Sequence, residues 1–289
     1  MKRVLSVAVL AVVAAAAFAA QATPSMTPRD RTAGPGVTAE PPQDLVQPDP
    51  HVYLGKLPNG LRYAVSQTAG PPETAIDFYV GAGSMDETDA QQGTAHFLEH
   101  MAFSGSKNFP AGTVLPRFED IGVGLGRDQN AQTGFSGTTF SLVLPSSTEA
   151  KVDLAFSWLR DVADGLTIAP AEVDRERGTI LSEYRESLNP GTALAKQTGA
   201  FMLPELLGPR RLPIGTLATI NSASAASIRA FWEKWYRPED AILIVVSDEP
   251  IETMIAKIET TFGSWQDATP TPVKPALVDV DANRGLDVT

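Results

Sequence analysis

The stretch Gly93-Thr94-Ala95-His96-Phe97-Leu98-Glu99-His100-Met101-Ala102-Phe103 holds two of the chain's three histidines. A helix over these residues puts His96 and His100, four apart, on one face. Glu99 lies three residues from His96 and shares that face. Two imidazoles one turn apart can hold a single Zn²⁺, and a carboxylate beside them can take a proton from water that the metal activates. The order H-x-x-E-H is the inverse of the H-E-x-x-H arrangement.

A catalytic zinc takes three protein ligands and keeps one position open. The chain has no cysteine, and His51 is the one other histidine, so the third ligand should be a carboxylate. A helix predicted over residues 171–188 offers Glu172, Glu176, Glu183 and Glu186. Glu176 and Glu183 are seven apart and share a face two turns apart. Arg175, Arg177 and Arg185 would keep nearby carboxylates ionised. Glu172 and Glu186 read as part of a solvated face. Spacing alone does not choose between Glu176 and Glu183.

Outward from these two segments, strands and helices mix without regular alternation. Residues 54–65 read as a hairpin around Pro58-Asn59-Gly60. Residues 75–80 and 139–144 read as strands, the second alternating strictly, and the apolar run 241–246 suits a central strand. Helices are predicted over 94–104, 149–164, 224–235 and 251–262. This pattern implies an α+β fold with a largely antiparallel sheet packed with helices.

The quoted segments resemble the pitrilysin (insulinase-like) zinc metallopeptidases. Residues 93–103 resemble the family's active-site helix, and Leu57-Pro58-Asn59-Gly60-Leu61-Arg62-Tyr63 its opening hairpin. Val80-Gly81-Ala82-Gly83-Ser84 resembles the strand end before that helix. Glu176-Arg177 with Ile180-Leu181-Ser182-Glu183 resembles the downstream glutamate helix. Residues 232–238 and the strand after them resemble the end of the family's first domain. The resemblance runs in order from about residue 52 to 265 and implies the metallopeptidase fold of the pitrilysin/mitochondrial-processing-peptidase type. It also implies that Glu183 is the third ligand, that Glu176 supports the site from behind, and that Glu99 is the general base. Asn130-Ala131-Gln132-Thr133 resembles an edge segment whose main chain pairs with an extended peptide, with Asn130 and Ala131 as substrate contacts. Phe103 is a candidate pocket wall. The interval from His100 to Glu183 exceeds the family's usual spacing, an excess assigned to residues 105–126.

The expected activity is zinc-dependent endopeptidase cleavage of peptides or unfolded polypeptides, with one Zn²⁺ per domain. The family works as paired homologous domains, so a second homologous domain or subunit is an expected partner. A second reading is a non-catalytic homologous subunit that binds polypeptides; such relatives tend to lose ligand residues, and this chain keeps them. A purely structural zinc site would need a fourth protein ligand. Asp and Glu outnumber Lys and Arg by 34 to 23, giving a net charge of −11 that disfavours nucleic acid as a partner. Lys2 and Arg3, the apolar run to Ala20 and the small residues around Gln21 have the layout of a secretory signal peptide over residues 1–22. Export to the periplasm or outside the cell follows, with no stable membrane insertion after cleavage. Residues 23–50 read as a flexible lead-in, 51–266 as the catalytic domain, and 267–289 as a linker and the start of a following domain.

Overall fold

The computed structural model describes residue 49 and residues 51–203 and 206–275. The expected signal peptide, almost all of the lead-in and the expected start of a following domain beyond residue 275 lie outside the described residues.

The hairpin forms as the turn residues dictate. Strands β1 (Val52–Lys56) and β2 (Arg62–Gln67) pair antiparallel across it. Gly60 closes the turn at φ 103°, a conformation that glycine adopts without cost. Asn59 ties the turn to the end of the domain, its Nδ2 donating to Phe262 O and Trp265 O at 2.8 and 2.9 Å.

Strands β3 (Thr74–Val80), β4 (Gln129–Thr133), β5 (Thr138–Leu144) and β6 (Ala241–Ser247) complete one sheet in the order β1-β2-β6-β3-β5-β4. Among the described strands only the β2–β6 pair is parallel. The fold is therefore α+β with a largely antiparallel sheet. Register aligns Tyr63, Leu243, Phe78 and Phe140 in a row across four strands, and Val65, Val245, Ile76 and Leu142 in the next. All eight are buried. The β6 run occupies a central position, yet it buries only one face. Alternation puts Ile244 and Val246 on the other side, where they are 40% and 38% exposed.

Eight α-helices occur among the described residues. Helix α1 is Thr94–Ser104, α2 Val114–Asp120, α3 Glu149–Asp164 and α4 Pro170–Ser187. Helix α5 is Pro190–Met202, α6 Leu217–Ser222, α7 Ala225–Trp235 and α8 Ile251–Phe262. Pro170 opens α4, where its missing N–H costs nothing. Ser224 caps α7, accepting from Ser227 N. Two indoles tie helices together: Trp158 Nε1 of α3 donates to Ala102 O of α1, and Trp232 Nε1 of α7 to Val162 O of α3, each at 3.0 Å. Residues 267–274 are fastened to the domain. Buried Arg237 binds Asp267 and Thr269 O, and Lys274 pairs with Asp86.

Asn59→Ala removes three hydrogen bonds, the two donated to Phe262 O and Trp265 O and one accepted from Leu61 N. It leaves Trp265 O without this donor, while Phe262 O keeps Trp265 N. We expect a loss of about 1–3 kcal/mol of stability, read as a lower urea midpoint at unchanged slope.

Candidate metal centre

Helix α1 is placed before it is functional. Gly93, just ahead of it, sits at φ 88°, and a Cβ there would lie 3.1 Å from Gly215 Cα. Glu87, on the approach to the helix, accepts from Gly93 N and Ala95 N at 3.0 and 2.8 Å. Those amides begin the helix and have no intrahelical acceptor. Burial pushes the Glu87 carboxyl up to about 8, against the pull of the two amides and Arg211.

The seating of α1 brings His96 and His100 together, ring centroids 4.8 Å apart and planes nearly perpendicular. Their Nε2 atoms are 3.2 Å apart. From α4, Glu183 Oε2 reaches both, at 3.3 Å from His96 Nε2 and 3.5 Å from His100 Nε2. Four-coordinate zinc with bonds of about 2.0–2.1 Å requires ligand atoms roughly 3.3–3.4 Å apart. The three atoms therefore fit one triangular face of such a site, and the donor set of two imidazoles and one carboxylate suits Zn²⁺.

Glu176 takes a different place. Its Oε2 lies 3.5 Å from Nδ1 of His100, behind the ring. The two glutamates that spacing left equivalent thus face opposite nitrogens of His100. Burial alone would lower the His100 pKa, but Glu176 and Glu183 outweigh it and raise it to about 9. The same bonds hold Glu176 below the usual carboxylate range and Glu183 well below it, against burial. His96 Nδ1 is buried and finds no hydrogen-bond partner among the described residues.

The arginines divide their work. Arg175 pairs with Glu172 and Glu176, so Glu172 is a paired group and not part of a solvated face. Arg177 pairs with Asp174 at 3.2 Å and also donates to Ile220 O and Ala223 O, clamping α4 to the end of α6. His51 is exposed at the start of β1, away from the centre.

A pocket of about 680 Å³ opens at the site, lined by His96, Glu99, His100 and Glu183, with Phe103, Asn130 and Ala131 beside them. Every candidate residue borders one space. Leu115, Pro116 and Leu125 of the 105–126 segment form a further apolar wall that sequence reading did not anticipate. Asn130 and Ala131 lie on β4, the edge of the sheet, and not in an irregular loop. Thr133 Oγ1 donates to Glu99 Oε2 at 2.5 Å, another contact that sequence reading missed. Strand alternation from Ala131 was the available signal.

Comparison with known proteins agrees with this architecture. Residues 62–193 match the family described as Insulinase (Peptidase family M16), and residues 222–288 match the Peptidase M16 inactive domain. The chain belongs to the pitrilysin/insulinase-like metallopeptidase family. Within this family it is 35% identical over 239 residues to a probable zinc protease PqqL of Haemophilus influenzae, covering 81% of this chain and 25% of that one. It is 32% identical over 212 residues to the Escherichia coli probable zinc protease PqqL, covering 73% and 23%. The chain thus spans about a quarter of the length of these curated relatives. The crystal structure of the periplasmic protease PqqL from Escherichia coli superposes at a TM-score of 0.75 and 29% identity, over 80% of this chain and 26% of that one. Pitrilysin, at 22% identity and TM-score 0.67 over 84% and 26%, shares the fold. The family matches fall on one continuous sheet, because β6 from the second match lies between β2 and β3.

Two outcomes are expected. Glu176→Gln should weaken zinc affinity about 10–100-fold in a metal-buffer titration while leaving one site per chain. Glu87, raised in the fold, contributes stability present below about pH 4.5 that is lost as pH rises through about 8. Glu87→Gln should flatten that limb of the Tm–pH curve, read by calorimetry.

Proposed function

We propose that this chain carries the zinc-binding half-site of an endopeptidase that cuts peptides or unfolded polypeptides. The observation that carries the reading is the triangle of His96 Nε2, His100 Nε2 and Glu183 Oε2, with Glu99 at the same pocket. In this reading His96, His100 and Glu183 hold the metal, and Glu176 orients His100. The zinc, when bound, supplies a Lewis acid that polarises a carbonyl and acidifies water. Glu99 takes a proton from the attacking water and returns it to the leaving amine. The main chain of β4 offers an extended substrate an open edge beside Asn130 and Ala131, the mode of strand addition. Phe103, with Leu115 and Leu125, receives an apolar side chain.

The relatives are named as zinc proteases, and the family match supports the same chemistry here. The chain's share of their length supports a further domain or subunit that completes the substrate chamber. The basic start and apolar run of residues 1–22 support export, as does the description of the Escherichia coli relative as periplasmic. Among the described residues no helix is long and apolar enough to cross a membrane. Residues 51–266 act as the catalytic domain, and 267–289 lead toward the next.

Cleavage of a quenched fluorescent peptide library by the zinc-loaded chain tests the reading. Activity should disappear with a chelator and return with zinc. Glu99→Gln should lower the rate by about 10²–10⁴-fold with zinc content unchanged. Cleavage that survives in Glu99→Gln would remove the general-base assignment.

A further inference from the structure

Glu99 is 8% exposed, and one of its oxygens is already committed. In the 2.5 Å contact Thr133 Oγ1 is the donor and Glu99 Oε2 the acceptor. Strand geometry aims this hydroxyl. Along β4, Gln129, Ala131 and Thr133 turn toward the helices while Asn130 and Gln132 stay exposed. Thr133 pairs across the ladder with Thr138 of β5, their hydroxyl oxygens 3.2 Å apart. Thr138 is fully buried and donates to Ala82 O at 3.0 Å, beyond the end of β3. Both hydroxyl protons are then spent, on Glu99 and on Ala82 O, so the 3.2 Å approach is a packing contact and it is the ladder pairing with β5 that fixes Thr133.

We propose that Thr133 is a positioning residue for Glu99. Its hydroxyl fixes Oε2 and the plane of the carboxylate, which leaves Oε1 as the oxygen that moves the proton. The inference rests on the peptidase reading above and adds to it a link between two of its parts. The strand that offers its edge to the peptide also aims the base. One rigid element then sets the register of the scissile bond and the direction of the proton acceptor together, so neither can shift alone.

The test uses Thr133→Val, which keeps the shape of the side chain and removes the donor, and Thr133→Ser, which keeps the donor. Each is prepared as the zinc-loaded full chain beside wild type and Glu99→Gln. Crystal structures come first, because they read the carboxylate whether or not the chain turns over peptide. In Thr133→Val the Glu99 carboxylate should rotate or split into two positions while the α1 backbone stays in place. In Thr133→Ser it should keep the wild-type position. Where the chain cleaves peptide, Thr133→Val should lower kcat by about 10–100-fold with KM within about twofold, and Thr133→Ser should restore most of kcat. Zinc content and Tm should stay near wild type in both. A carboxylate unmoved in Thr133→Val overturns the proposal, as does an unchanged kcat or an equal loss in the serine variant. These outcomes differ from failure of the peptidase reading, which would show as cleavage insensitive to Glu99→Gln and to chelator.

Discussion

Helix α1 buries eight of its eleven residues, and Phe97, Leu98 and Met101 are each no more than 1% exposed. Burying each of these three is worth about 1.5–3 kcal/mol. Successive residues of a helix are about 100° apart, so turning α1 by one position would drive this apolar set out of the core and histidines into it. The hydrophobic contacts therefore fix the rotation of the helix, and the rotation fixes where two imidazoles and a carboxylate point. The Trp158 bond to Ala102 O and the Glu87 bonds at the helix start hold its translation in the same way. What α1 leaves unfilled is the side facing α4 and β4. The third donor atom and the hydroxyl that meets Glu99 come from those two elements.

The local parts of this arrangement were legible in the sequence. Periodicity gave α1, α3 and α8 their observed limits, and the Asn-Gly turn gave the first hairpin. The ring pair on one face followed from spacing alone. What was not legible was long-range. Spacing left Glu176 and Glu183 equivalent because both lie on one face of α4; only the approach of α4 to α1 assigns one to each side of His100. Arg177 resembled its neighbours in sequence, yet it serves carbonyls of α6 about forty residues away, a partner that periodicity cannot supply. Helices α2, α5 and α6 were not anticipated. Helix α5 buries none of its residues, so it has no core stripe for periodicity to find.

The β6 run shows a different limit. A stretch with no polar interruption suited a central strand, and its place in the sheet is as expected. Composition cannot say whether the second face is covered. Here Ile244 and Val246 remain open on the side away from the core. Hydrophobicity along a strand thus reports its neighbours in the sheet more reliably than its layers above and below.

Strand β4 is five residues long, lies at the margin of the sheet and turns Asn130 and Gln132 outward. Under the proposed strand addition, a chain docking there would have to be fully extended over several residues, and a folded segment would first have to melt. Local stability of about 4 kcal/mol leaves roughly one molecule in 1,000 able to dock. A sheet margin used in this way sorts its clients by how often they come apart and only secondarily by their side chains. In the proposed peptidase this margin would act as a thermodynamic sieve, sparing well-folded proteins and reaching those already loosened.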